Sequence, residues 1–285
     1  MGNQNEWIFN RKAVGFMYIE SKDNPKIKLY VKLSGSKKAR EDNGLFVLEG
    51  ARLCCEAINR WREDKLEIHS VFASAKALEK YPEYIDSSLF TSRSEIFHII
   101  DDRVCEKLGE TKGSQGIYII ANISNNILSE QSIKSNGKYL IMNNLQDPGN
   151  VGTILRTCDA VGADGVVMTN RCCDLYNPKT LRAAMGSIFR LDVFICDDYS
   201  RVLDLFHDCG IKTYAAVVDK DAVSVESINF SEGAAAVIGN EGRGLTREDA
   251  DLCDDRITIK MQGNIDSLNA AMAAGIILWE MKRKV

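Results

Sequence analysis

The stretch IKMQGNIDSLNAAMAAGI, residues 259–276, decides how the second half of this chain folds. It passes from an apolar strand end through a glycine-bearing loop into a helix opened by Ser267 and Asn269. That helix is crowded with small residues: Ala270, Ala271, Ala273, Ala274 and Gly275. Small side chains let another backbone come close, whether a neighbouring helix or a second subunit. Plain helix-forming alanine is the other reading.

Two segments of the same kind precede it. In VIGNEGRGL, residues 237–245, an apolar strand runs into three glycines within six residues. Such glycines permit positive φ and close approach of backbone to a ligand, or simply make a turn. Glu241 reads either as a site residue or as a cap for the helix that follows. In NNLQDPGNVGTILRTCDAVG, residues 143–162, the run Asp147-Pro148-Gly149-Asn150 makes a turn. Asn150 reads as the N-cap of a helix that sends Ile154, Leu155 and Cys158 to the core and Arg156 elsewhere. The bland alternative is a capped helix with a surface arginine. All three segments follow apolar strands, and in parallel α/β sheets ligands bind at the carboxyl ends of strands.

Around them the chain repeats one pattern. Apolar runs at 139–145, 165–169, 191–196, 212–218, 234–240 and 256–261 alternate with helical stretches, and a helix over 267–284 closes the chain. Near-continuous apolar strands between helices predict an α/β domain with a parallel sheet covered on both faces. Residues 45–123 form a smaller α/β layer with strands at 45–50, 68–74 and 116–123, a helix over 51–61, and apolar patches LFTS and EIFHII. Between the two, the Ser- and Asn-rich residues 124–137 read as a linker.

Composition narrows the class. With 285 residues, 45% apolar and 27% charged, two globular domains are the expectation, and collagen-like, mucin-like or wholly disordered chains are excluded. No run approaches the roughly 18–20 apolar residues of a membrane span. The first residues lack the apolar core of a signal peptide, so a cytoplasmic protein is expected. The nine cysteines are odd in number and form no CxxC, which suits reduced, mostly buried thiols. The three histidines stand apart from other ligand types, so no metal is expected. Phosphate-loop, GxGxxG and GxSxG signatures are absent, which removes Rossmann, phosphate-loop and Ser-His hydrolase readings.

Taken together and in order, the three segments resemble the motifs of the SPOUT superfamily, specifically the SpoU (TrmH-like) RNA ribose methyltransferases, across residues 138–285. DLYNPKTLRAAMGSIFR, residues 174–190, is similar to that family as well. Residues 32–53 through 112–117 look like the ribosomal-protein-like substrate-binding domain often fused to it. The resemblance implies an extension at 1–25, an RNA substrate-binding domain at 26–124, a linker at 125–137 and a methyltransferase domain at 138–285. Residues 1–16 are expected to be an upstream extension or tail.

The resemblance also implies what composition does not reach: a deep trefoil knot, of a kind general topology rules would exclude. It implies S-adenosylmethionine held by backbone around Gly239, Ile259 and Leu268, with Met261 nearby. The carried-over catalytic positions are Asn150, Arg156, Glu241, Ser267 and Asn269. The family acts as a homodimer through the C-terminal domain, with Arg156 serving either its own pocket or the partner's. One departure stands out: Lys260 occupies a position where the family usually has proline, which removes a fixed φ and adds a charge near the methyl donor.

The reaction implied is transfer of methyl from S-adenosylmethionine to a ribose 2′-oxygen of RNA, with ribosomal RNA (large-subunit) favoured by the fused N-terminal domain. A transfer-RNA 2′-O-methyltransferase, a base methyltransferase of the same superfamily and a non-catalytic RNA-binding or ribosome-assembly protein are the alternatives. The net charge of −4 excludes uniform coating of RNA. It is unevenly spread: residues 1–136 hold 20 basic and 19 acidic groups, residues 137–285 hold 16 and 21. Between residues 22 and 40 seven cations face only Asp23. Among them Lys37, Lys38 and Arg40 are the candidate RNA-binding residues, although a charge run is often just a solvated face.

Overall fold

A computed structural model describes residues 16–110, 113–124 and 126–283. It divides into two compact units, Met1–Ser124 with Tyr176–Phe189, and Asn125–Leu175 with Arg190–Val285.

The first unit opens with β1 (Met17–Ile19). Two helices follow, α1 (Pro25–Gly35) and α2 (Lys37–Asn43), which the apolar pattern at 45–123 did not include. Each has its own start signal. The Asn24 side chain accepts from the Lys26 amide with Pro25 in the first turn, and the Ser36 side chain accepts from the Ala39 amide. Gly44, at φ 63°, closes α2 in the left-handed conformation. Ile27, Tyr30 and Leu33 are buried at three-residue spacing, and Lys28 and Lys32 lie on the exposed face of this amphipathic helix.

Then come β2 (Leu45–Glu49), α3 (Ala51–Arg62), β3 (Ile68–Ser74), α4 (Ala75–Lys80), β4 (Phe97–Ile100), α5 (Asp102–Leu108) and β5 (Ile117–Asn122). The five strands lie in the order β1-β4-β3-β5-β2, with β5 antiparallel to both neighbours. The LFTS patch belongs to a 3-10 helix, Ser87–Arg93, which directs Phe90 into the core. Residues 16–19, read from sequence with the extension, are part of the fold. Met17–Ile19 pairs in parallel with His98–Ile100, and the ring of Phe16 lies 4.9 Å from that of Phe97. A three-residue strand is too short to announce itself by periodicity. The rest of the expected tail, residues 1–15, lies outside the described residues.

The second unit begins within the stretch read as a linker. Asn126 bridges to Phe194, Ile133 is buried, and the Lys134 amide donates to the Tyr139 hydroxyl at 2.7 Å. Its elements are β6 (Lys138–Met142), α6 (Pro148–Val161) and β7 (Gly165–Thr169). At this point α7 (Pro178–Ala184) intervenes, in the segment that packs with the first unit. Tyr176 places its ring 4.6 Å from Phe46 and donates to the Ser124 carbonyl at 2.8 Å, while Arg182 pairs with Glu110 at 2.8 Å.

The second unit resumes with β8 (Val193–Cys196), α8 (Tyr199–Asp208), β9 (Lys212–Ala216), β10 (Val223–Ser224), β11 (Ala234–Ile238), α9 (Arg247–Asp251), β12 (Asp255–Thr258) and α10 (Ala270–Arg283). Its seven strands run in the order β10-β12-β9-β11-β6-β7-β8, every pairing parallel, as the near-continuous apolar strands predict. Helix α10, which follows β12, packs on α6, β6 and β11, and Gly275 lies beside the Thr157 methyl. This course is consistent with a trefoil knot.

All nine cysteines are free. Cys54, Cys158 and Cys172 are buried and the other six partly exposed, fewer buried than the sequence suggested. Among the described residues, no helix is long and apolar enough to cross a membrane.

Candidate active site

The three motif segments leave the carboxyl ends of β6, β11 and β12. Because every strand of this sheet is parallel, all three emerge on one edge.

The first segment begins with a cap that differs from the one read in sequence. Asp147, not Asn150, is the N-cap of α6, and its Oδ1 accepts from the Asn150 amide at 2.9 Å. Pro148 is the reason. A proline suits the first helical position, where no amide partner is needed, so the cap must precede it. The Asn150 side chain, one turn into the helix, is thereby released for other contacts. Its Nδ2 donates to Glu241 Oε1 at 3.3 Å, and its Oδ1 accepts from Asn269 Nδ2 at 3.0 Å.

Glu241 is likewise not a helix cap, since Thr246 caps α9. The Glu241 carboxylate reaches across to the first segment and accepts from the amides of Gln146 and Asp147, the latter at 2.8 Å. Partial burial raises the carboxyl pKa, but these amides, the residue's own amide and Asn150 outweigh it and hold Glu241 below its ordinary value. The carboxylate thus ties residues 146–150 to the loop after β11.

Asn269 serves two ends at once. Its Oδ1 accepts from the Ala271 amide at 2.9 Å and caps α10, while its Nδ2 faces Asn150. The helix therefore starts at Ala270. Ser267 lies before it, exposed and outside this network.

Between these anchors lies a loop that the glycine spacing made possible. Asn240 and Gly244 exchange backbone hydrogen bonds of 3.1 and 2.8 Å, folding residues 240–244 back on themselves. A Cβ on Gly239 would lie 2.3 Å from the Leu245 amide nitrogen and 2.4 Å from the Gly244 carbonyl carbon, so only glycine fits. Asn240 completes the lock. Its Oδ1 accepts from the amides of Gly242 and Arg243, and its Nδ2 donates to the Asn144 carbonyl at 3.0 Å. Sequence reasoning passed over Asn240, although asparagine between glycines is a known turn former. It also passed over Asn144, which holds a left-handed φ of 64° that asparagine tolerates.

The remaining predicted residues are exposed or nearly so. Arg156 projects from the solvent face of α6 and, among the described residues, has no partner there. Ile259 and Met261 are partly exposed, Leu268 is exposed, and so is Lys260. Arg40, in the first unit, is not a surface cation. It is buried, and its guanidinium donates to the carbonyls of Leu33 and Ser34, closing the carboxyl end of α1. That use removes it as an RNA contact. Lys37 and Lys38 remain exposed on α2, Lys37 lying 3.7 Å from Glu41.

Comparison with known proteins identifies both parts of the chain. The model of the SpoU rRNA Methylase family matches residues 137–279, and that of the MRM3-like substrate binding domain matches residues 24–119. The chain is 31% identical over 264 residues to the 23S rRNA (guanosine(2553)-2′-O)-methyltransferase RlmP of Bacillus subtilis, covering 93% of this chain and 98% of that one. It is 30% identical to an uncharacterized tRNA/rRNA methyltransferase of Synechocystis, covering 93% of each. Among solved structures, the AdoMet-bound rRNA methyltransferase of Sinorhizobium meliloti superposes with a TM-score of 0.80 at 25% identity, covering 94% of this chain and 98% of that one. With both halves matched by family models, and a relative 31% identical along nearly its whole length, the chain belongs to the SpoU rRNA methylase family.

Proposed function

We propose that this RNA methyltransferase transfers a methyl group from S-adenosylmethionine to a ribose 2′-oxygen of large-subunit ribosomal RNA, working as a homodimer. The observation that carries the reading is the hydrogen-bonded chain Asn269–Asn150–Glu241, which ties three separate segments together at the ligand-binding edge of the sheet. The printed activity of the Bacillus subtilis relative and the match to a substrate binding domain support the same substrate class.

The residues present fit S-adenosylmethionine. Among the described residues, the amides of 260–268 make no hydrogen bond within the protein, and the same loop exposes Ile265 and Leu268. A nucleoside with an amino-acid tail needs many polar backbone partners beside apolar faces. Gly239, Ile259, Met261 and Leu268 would hold it there. When bound, it supplies a methyl already activated on a sulfonium.

The protein's remaining task is to place the ribose hydroxyl and ease its deprotonation. A guanidinium is a planar fork of donors. Arg156 therefore orients the hydroxyl, grips the adjacent phosphate and stabilises the developing alkoxide. Asn150, Ser267 and Asn269 orient these partners, and Glu241 holds the turn of residues 146–150 in position. Lys37 and Lys38 contact RNA phosphates from the first unit. For the dimer, Met272 and Trp279 present 60% and 59% of their surface on one side of α10, two turns apart, an apolar stripe suited to a second copy.

Mass spectrometry of digested ribosomal and transfer RNA from cells with and without the gene tests the reading. Loss of one 2′-O-methylated nucleotide from large-subunit RNA is expected. Loss from transfer RNA redirects the substrate, a missing base methyl changes the acceptor, and unchanged nucleosides throughout overturn the proposal.

A further inference from the structure

We propose that Arg243 and Lys260 form a two-point grip for RNA backbone phosphates at the carboxyl edge of the second unit's sheet. The inference rests on the RNA-methyltransferase reading above and adds residues that it does not assign.

The second unit is acidic overall, and many of its cations sit against carboxylates. Lys134 and Lys282 lie on Asp164, Arg171 on Asp249, and Arg247 on Asp251. Arg243 and Lys260 are different: both are exposed, and neither has a carboxylate partner among the described residues. Lys260 has no acidic residue within four positions on either side, and Arg243 has only Glu241. The Glu241 carboxylate is already taken up by the amides of Gln146 and Asp147 and by Asn150.

Their placement is shared. Arg243 follows β11 and Lys260 follows β12, and both strands pair with β9 in parallel. The two segments thus leave the same edge from strands about 10 Å apart, twice the usual strand spacing. Arg243 is also held in place. Its amide donates to Asn240 Oδ1 at 3.2 Å inside the loop closed by the Asn240–Gly244 pair, so presenting the side chain costs little backbone ordering. A cation so held beside the Asn150–Glu241 contact suits a phosphate flanking the target ribose. Arginine binds such a group with a fork and lysine as a point charge.

The salt dependence of binding to protein-free large-subunit ribosomal RNA transcribed in vitro tests this. Each lost phosphate contact flattens the plot of log affinity against log salt by about 1. Arg243→Gln and Lys260→Gln should each do so, the double variant by about 2. Arg247→Gln, which removes a cation already paired with Asp251, should leave the slope alone, and Arg243→Lys should preserve it. Thermal unfolding midpoints should match wild type in every variant, which separates the effect from misfolding. Slopes unchanged in both glutamine variants, with wild type still methylating RNA, overturn the grip alone. Wild type that neither binds this RNA nor methylates any ribosomal or transfer RNA overturns the underlying reading, and the grip with it.

Discussion

Asn269 Nδ2 lies 3.0 Å from Asn150 Oδ1, although 119 positions separate the two residues. One amide belongs to the first turn of α6 and the other caps α10, so the contact registers the last helix against the first motif. Because Asn150 passes the connection on to Glu241, a change at Asn269 reaches all three segments.

Asn269→Asp separates this role from capping. Aspartate keeps the oxygen that caps α10 but sets a second acceptor against Asn150 Oδ1. Thermal stability should stay near wild type, while methyl transfer falls about a hundredfold, the cost of a reacting group displaced by roughly 1 Å. Asn269→Ala should lose transfer and also about 1 kcal/mol of stability, the usual cost of a missing cap. Thermal unfolding and single-turnover transfer measured on both variants check the contrast.

The Glu241 carboxylate is held below its ordinary pKa, so it stabilises the fold when ionised. That contribution is complete above the unfolded-state value of about 4.3 and is lost as pH falls through the lower folded value. In thermal unfolding scans from pH 6 to pH 3, the advantage of wild type over Glu241→Gln should shrink in the acid range. A constant gap would mean that the ionised carboxylate does not anchor this turn.

Arg40 and Lys38 lie two positions apart on α2 but should respond oppositely. Arg40→Ala leaves the carbonyls of Leu33, buried, and Ser34, partly buried, without this donor and should cost about 1–3 kcal/mol in urea unfolding. Lys38→Gln should change stability by less than about 0.5 kcal/mol. It should instead flatten the salt dependence of RNA binding by about 1.

His98 is buried on β4, and among the described residues neither ring nitrogen has a hydrogen-bond partner. Burial, with smaller effects of Lys26 and His69, lowers its pKa to about 4. The unfolded chain therefore takes up a proton first, and stability falls as pH drops from about 6.5 to about 4, by at most about 3 kcal/mol. His98→Phe, next to the Phe72 ring, removes that dependence. Urea unfolding at pH 8 and pH 5 should show the variant gaining on wild type at the lower pH. Equal differences at both values would contradict it.

Much of this molecule is legible along the chain. The apolar runs from residue 138 onward became the strands of a parallel sheet because continuous hydrophobic segments must be covered on both faces. The three glycine-bearing segments fell at its carboxyl edge, where parallel strands all point. Local chemistry also carried information that is easy to misplace: Pro148 moves the helix cap to Asp147, and Asn240 reads as a turn former among glycines.

Contacts between distant positions were settled only by the tertiary structure. The same arginine that reads as a surface cation in a basic run becomes the buried cap of α1 once α2 turns back on it. Residues 176–189 run within the methyltransferase stretch yet pack with the first unit, because Phe46 and Glu110 supply partners that sequence distance conceals. Sequence periodicity records which face of an element is apolar. The element that covers that face, and the hydrogen bond left for Asn150 after Asp147 has capped its helix, depend on how the chain returns to itself.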